Sequence, residues 1–160
     1  MNDAARRAAI LVLATAVAVP AEGIRRAVYF DPPGIATVCF GHTGPDVKMG
    51  QPLRSMDECK ALLSADMLKA VDIVERCQPG LPVPITAMLA DGVYNGGSTM
   101  ACDRKNSTMA RMLDAKDYEG ACHQHPRWNK SRIAGVLIEL PGLTKRTLLR
   151  EQICLTYRDQ

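Results

Sequence analysis

The chain has 160 residues, 47% of them apolar and 23% charged, which suits a single domain, or one domain in two lobes, with a core of its own. Aromatic residues make up only 4%, so that core is expected to be aliphatic. The formal charge of +3 comes from basic residues spread along the chain, a distribution that speaks against a nucleic-acid module and favours approach to an anionic surface such as a bacterial envelope.

The chain opens on Arg6 and Arg7, followed by residues 8–21 without a charge, the layout of an export signal. As a helix that uncharged run is about 21 Å long, short of a hydrocarbon core of about 30 Å. Three fates compete: cleavage after Ala18 or Ala21, retention as a temporary anchor, or burial as a helix of the folded domain. Cleavage would leave Glu22 at a frayed terminus, so we expect an uncleaved anchor that passes into a domain helix, with Pro20 opposing helix somewhat. Residues 31–34, Asp-Pro-Pro-Gly, form a turn signal between β-branched and aromatic residues, and predict a small hairpin or three-stranded patch. Ser55 with Glu58 three positions on is a capping box that opens a long helix to about Arg76. A further helix is expected over 85–97, weakened by Gly92. One or two short helices follow over 106–128, with Asp117 and Gly120 as boundaries. The apolar stretch 131–143 is ambiguous and closed by Pro141-Gly142, and a last amphipathic helix covers 144–158. The fold class expected is α+β: mostly helical, with a small antiparallel sheet near the start.

Six cysteines, Cys39, Cys59, Cys77, Cys102, Cys122 and Cys154, contain no Cys-x-x-Cys pair, and three histidines are few to help them bind metal. An even count behind an apolar leader points instead to three disulfides in an oxidising compartment. Six thiols allow about 15 pairings. The simplest joins sequence neighbours, 39 with 59, 77 with 102 and 122 with 154, each stabilising by ~3 kcal/mol through the unfolded chain. No metal and no cofactor is expected.

Glu22, Asp31 and Thr37 are the candidate catalytic residues. Splitting a glycoside needs one protonated carboxyl to donate to the leaving oxygen and one carboxylate working on the opposite side of the ring. Apolar residues 16–21 packed over Glu22 would desolvate it and keep its proton. Asp31, in its turn, would stay nearer water and activate a water that the Thr37 hydroxyl helps to hold.

Glu, eight residues, Asp, five residues, Thr, then Gly-His at Gly41-His42, resembles the signature of the phage-type lysozymes, the endolysins of glycoside hydrolase family 24. The resemblance continues in order through residues 57–66, Val93 to Gly97, residues 106–113, 120–128 and 142–155. The leader resembles that of the signal-anchor-release branch of the family. This implies a lysozyme-like fold with residues 1–21 as signal-anchor and 22–160 as catalytic domain: an N-terminal lobe to about 55, a connecting helix over about 56–76, and a helical C-terminal lobe. It implies Glu22 as general acid, Asp31 as base or electrostatic partner and Thr37 as the residue that holds water. An inverting reaction would set the carboxyls ~6.5–9.5 Å apart. His42 would pair with Asp66 structurally, Thr43 and Tyr94 would line the saccharide cleft, and Arg146 would steady the charge of the acid. Trp128 reads as core. Departures from the family pattern are Pro32-Pro33, Asp91-Gly92 on an otherwise apolar helix face, Thr147 in place of a second basic residue, and a leader that abuts Glu22.

The activity implied is hydrolysis of the β-1,4 bond between N-acetylmuramic acid and N-acetylglucosamine, with peptidoglycan glycan strands as partner, transient inner-membrane association, delivery to the periplasm and a monomeric state. A lytic transglycosylase needs no second carboxylate, and Asp31 argues against it. A non-catalytic, disulfide-stapled envelope-binding protein is the alternative from another class.

Overall fold

The computed structural model describes residues 1–31 and 34–159. The expected turn at Pro32-Pro33 therefore lies outside the described residues. Helix α1 covers Asp3–Glu22, with the Asn2 side chain accepting from the Ala5 amide at its start. It continues through Pro20. Ile10, Ala14, Val17 and Ala18, at i, i+4, i+7 and i+8, form one buried stripe that packs on the helices described below. By length and composition α1 could also cross a membrane, with a mean hydropathy of 1.5. In this structure the leader is thus a helix of the domain.

Strands β1 (Arg25–Phe30), β2 (Ala36–Cys39) and β3 (His42–Thr43) form an antiparallel sheet in sequence order. Its register aligns Tyr29, Thr37 and Thr43 in one row across the three strands. Cys39 is left-handed at φ 61, as is Gly41 at φ 91, so the chain reverses within Cys39-Phe40-Gly41.

Helix α2 (Met56–Cys77) starts on the expected capping box, with Ser55 and Glu58 bonded reciprocally. Helix α3 (Val83–Gly96) is central and buried from Val83 to Val93, and it packs on α1 and α2. Gly92 has a packing reason there: a Cβ would sit 2.1 Å from the Met100 sulfur. Short helices α4 (Thr99–Cys102), α5 (Thr108–Asp114) and α6 (Tyr118–Cys122) follow, then a 3-10 turn at His125–Trp128. Asp117 caps α6 as a boundary residue should, accepting from the Gly120 amide at 2.9 Å. Gly120, expected at a boundary, is inside the helix.

The ambiguous apolar stretch is a hairpin, β4 (Lys130–Ile133) with β5 (Val136–Glu139). Ala134 and Gly135 both have positive φ, the requirement of a tight two-residue hairpin turn. Pro141 does not close that stretch. It occupies the first turn of α7 (Pro141–Leu155), where its missing N–H has no intrahelical partner to lose. Helix α7 packs on α3 and also touches α1. Disulfides join Cys39–Cys59, Cys77–Cys102 and Cys122–Cys154, so the neighbour pairing is the one adopted. The architecture is α+β, mostly helical with small antiparallel sheets.

Candidate active site

Glu22 is the last residue of α1, and the β1–β2 hairpin folds back so that Asp31 and Thr37 face the same space. The three line one cleft of about 260 Å³, together with Tyr29, Tyr94 and Asn95. Each is held differently. Asp31 Oδ1 accepts the Ile35 amide at 2.7 Å, and the Thr37 hydroxyl donates to the Ile35 carbonyl at 3.0 Å. One residue of the turn therefore fixes both side chains. With its proton committed to Ile35, the buried Thr37 oxygen has lone pairs left to accept from a water.

The Glu22 carboxyl meets a guanidinium rather than an apolar wall. Arg146 Nη1 donates to Glu22 Oε1 at 2.5 Å, while Oε2 faces Gly41, where an added Cβ would lie 3.6 Å away. The expectation of an acid enclosed by residues 16–21 is corrected on this point. Glu22 shares their helix, so Val17 and Ala18 turn into the core while the carboxyl projects into the cleft. Arg146 is where it was placed, beside the acid.

Tyr94 donates its hydroxyl to the Phe40 carbonyl at 2.5 Å, bracing α3 against the turn after β2. Burial first, and then the charge of Glu22, raise the Tyr94 pKa well above its usual value, so it remains a neutral donor. Thr43 lines a neighbouring cleft of about 230 Å³ that shares Gly41 and Tyr94 with the first, so the two adjoin. His42 Nδ1 lies 2.5 Å from Asp66 Oδ2, the pair expected, and its Nε2 lies 3.2 Å from Asp46. The His42 contact, followed by a backbone hydrogen bond, holds the Asp46 carboxyl below the usual range. Trp128 is half-buried and packs against the core. It also borders a separate cavity of about 340 Å³, which contains no carboxylate among its lining residues.

Two residues beside the site were not among the expected site residues, although Asp91 stood out as a departure. Asp91 is completely buried on α3, with its carboxylate bonded to both Arg146 and Arg150. A lone acid inside an apolar helix implies a buried cationic partner, and that signal was present. Arg150 lies one turn beyond Arg146 on α7, 1% exposed, with a spacing that marks one helix face. Among the described residues no group of three or more His, Cys, Asp and Glu side chains is arranged to hold a metal ion.

The phage lysozyme family model matches residues 20–149. A SAR-endolysin of Bacteriophage PS119 is 36% identical over 135 residues, spanning 84% of this chain and 76% of its own length. The endolysin from Escherichia coli O157:H7 phage FAHEc1 superposes with a TM-score of 0.72 at 26% identity, covering 94% of this chain and 90% of its own. The active form of P1 phage endolysin Lyz shares the fold, with a TM-score of 0.75 at 21% identity over 90% and 83% of the two chains. The chain belongs to the phage lysozyme family.

Proposed function

We propose that this protein is an endolysin that hydrolyses the β-1,4 bond between N-acetylmuramic acid and N-acetylglucosamine in peptidoglycan and so lyses the host cell. The observation that carries the reading is the convergence of Glu22, Asp31 and Thr37 on one cleft in a chain of this family. With Oε1 bound by Arg146, Oε2 is the oxygen of Glu22 that carries the proton and hands it to the leaving glycosidic oxygen. Asp31, with one oxygen engaged by Ile35, keeps the other for a water, which it deprotonates as that water attacks the sugar carbon. Thr37 holds this water. Tyr94 and Thr43 border the groove that takes the glycan strand.

Replacing Glu22 by Gln, which cannot donate the proton, is expected to lower lysis of permeabilised cells by about 10²-fold or more. Unchanged clearing of turbidity would overturn the enzyme reading and leave a wall-binding protein. The ends of the cleaved strands distinguish the chemistry: reducing muramic acid is expected, and anhydro-muramic ends would mean transglycosylation instead.

The names of the relatives and the character of α1 support export to the periplasm, with residues 1–21 first tethered in the inner membrane and 22–160 acting as a monomeric catalytic domain. While α1 lies in lipid it cannot pack on α3 and present Glu22 to the cleft, so the tethered form is inactive. Equal activity of tethered and released protein, separated by protease accessibility, would refute this.

A further inference from the structure

Arg146 is a singular neighbour for a proton-donating acid. Its side chain is 3% exposed, and a full positive charge directly on Glu22 would favour the ionised carboxylate and oppose proton donation. The charge does not stand alone, however. Asp91 receives Arg146 twice, Nε at 3.0 Å and Nη2 at 2.7 Å, which leaves only Nη1 to point at Glu22. This paired engagement fixes the plane of the guanidinium, and therefore the place of Glu22 Oε1.

Arg150 completes the unit. Its Nε donates to Asp91 Oδ2 at 2.5 Å, and its Nη2 reaches the Asp91 carbonyl at 3.2 Å and Asn95 Oδ1 at 3.3 Å. With Glu22 ionised, two carboxylates and two guanidiniums balance; with the proton on Glu22 the unit keeps one net positive charge, against two were Asp91 absent. In this chain the position after Arg146 is the buried Thr147, and the second cation comes from the next turn of α7.

We propose that Asp91 is a positioning residue for the reaction: it aims Arg146 at Glu22 while offsetting the charge that would otherwise hold Glu22 ionised. This rests on the reading of Glu22 as the proton donor. The other charged or titratable groups around this unit include Tyr94 on α3, Asp31 across the cleft, Lys130 and Arg132 of β4, which line a cavity with Arg150, Lys145, which lines one with Arg146, and His125 in the 3-10 turn, whose burial and neighbour Arg150 keep it neutral. None of them substitutes for Asp91, because none reaches Arg146 by hydrogen bond.

The sign follows from the balance. Asp91→Asn removes one negative charge and leaves two buried guanidiniums facing Glu22 alone. The proton leaves Glu22 more easily, so the alkaline limb of the rate profile moves to lower pH by about one unit, and kcat falls about tenfold as Arg146 loses its anchor, with KM little changed. Arg150→Met removes a positive charge while Arg146 keeps both its bonds to Asp91, and moves the same limb to higher pH. The double variant returns the limb towards that of the parent.

The experiment measures kcat and KM against pH for the three variants, with a ¹³C titration of the Glu22 carboxyl in each as a readout independent of turnover. Opposite displacements in the two single variants are the expected result. Where Asp91→Asn does not fold, Arg150→Met and the double variant carry the test alone. A Glu22 titration and alkaline limb that stay in place in every variant that folds would overturn the proposal. The reading beneath it fails differently, by a Glu22→Gln protein that still cleaves glycan.

Discussion

The His125 imidazole is 1% exposed, and neither ring nitrogen has a hydrogen-bond partner among the described residues. Burial, reinforced by the charge of Arg150, lowers its pKa to about 3. The unfolded chain takes up this proton near pH 6.5 and the folded chain does not. The stabilisation is therefore complete above about pH 6.5 and is lost as pH falls towards about 3, at about 1.4 kcal/mol per unit. Denaturant titrations of the parent and of His125→Phe should show the parent losing stability more steeply between pH 6 and 4. Parallel pH dependences would contradict the account. The same residue-scale reasoning explains why Asp91 is not a defect in an apolar helix. With its carboxylate bonded to two guanidiniums, its buried charge is matched at short range, and removing either partner type exposes the desolvation cost of the other.

At the scale of elements, α1 is held by packing along one stripe and by a polar clasp at its start. Arg6 donates to Glu75 and, at 2.9 Å, to the Leu81 carbonyl, and Arg7 reaches Glu75 at 2.8 Å and Asp72 at 2.6 Å. The two arginines that give the leader its export character thus also dock the helix on α2 and on the entry to α3. Replacing both by alanine should weaken docking by about 1 kcal/mol and raise amide exchange in α1 about fivefold, with exchange in the middle of α2 little altered. An α1 whose exchange is unchanged would mean that the apolar stripe suffices. Since α1 carries Glu22 at its end, loosened docking should also reduce kcat.

For the molecule as a whole, the disulfides divide it into stapled and unstapled parts. Cys39–Cys59 ties the sheet to the first turn of α2, Cys77–Cys102 ties the end of α2 to α4, and Cys122–Cys154 ties α6 to α7. Helix α1 has none, so the element suited to a membrane is also the one free to dock or leave without breaking a covalent bond. The bridges close loops separated by 20, 25 and 32 residues. Each should contribute about 3 kcal/mol through the unfolded chain, and reduction should lower the thermal midpoint well beyond the loss from any single surface substitution. A midpoint that is indifferent to reductant would show that the bridges are not formed in the protein tested.

Much of this was written locally. The capping box before α2, the apolar stripe of α1, the hairpin around Asp31 and the spacing of Glu22, Asp31 and Thr37 are short-range patterns, set by helix and strand periodicity and by turn chemistry. The pairing of His42 with Asp66 could be named from the family resemblance. What the linear text left open depended on contacts between elements distant in sequence. Which of the possible cysteine pairings forms is decided by where α2, α4, α6 and α7 come to lie. The stretch 131–143 could not be assigned because its apolar residues fit more than one periodicity, and the left-handed pair Ala134-Gly135 resolves it into a hairpin. The environment of Glu22 was misjudged for the same reason. Its sequence neighbours are apolar, but a helix turns consecutive side chains to different faces, and the partner that reaches it, Arg146, lies 124 residues away. Charge balance around an active carboxyl is a property of the packed helices, and only their docking brings Asp91, Arg146 and Arg150 together.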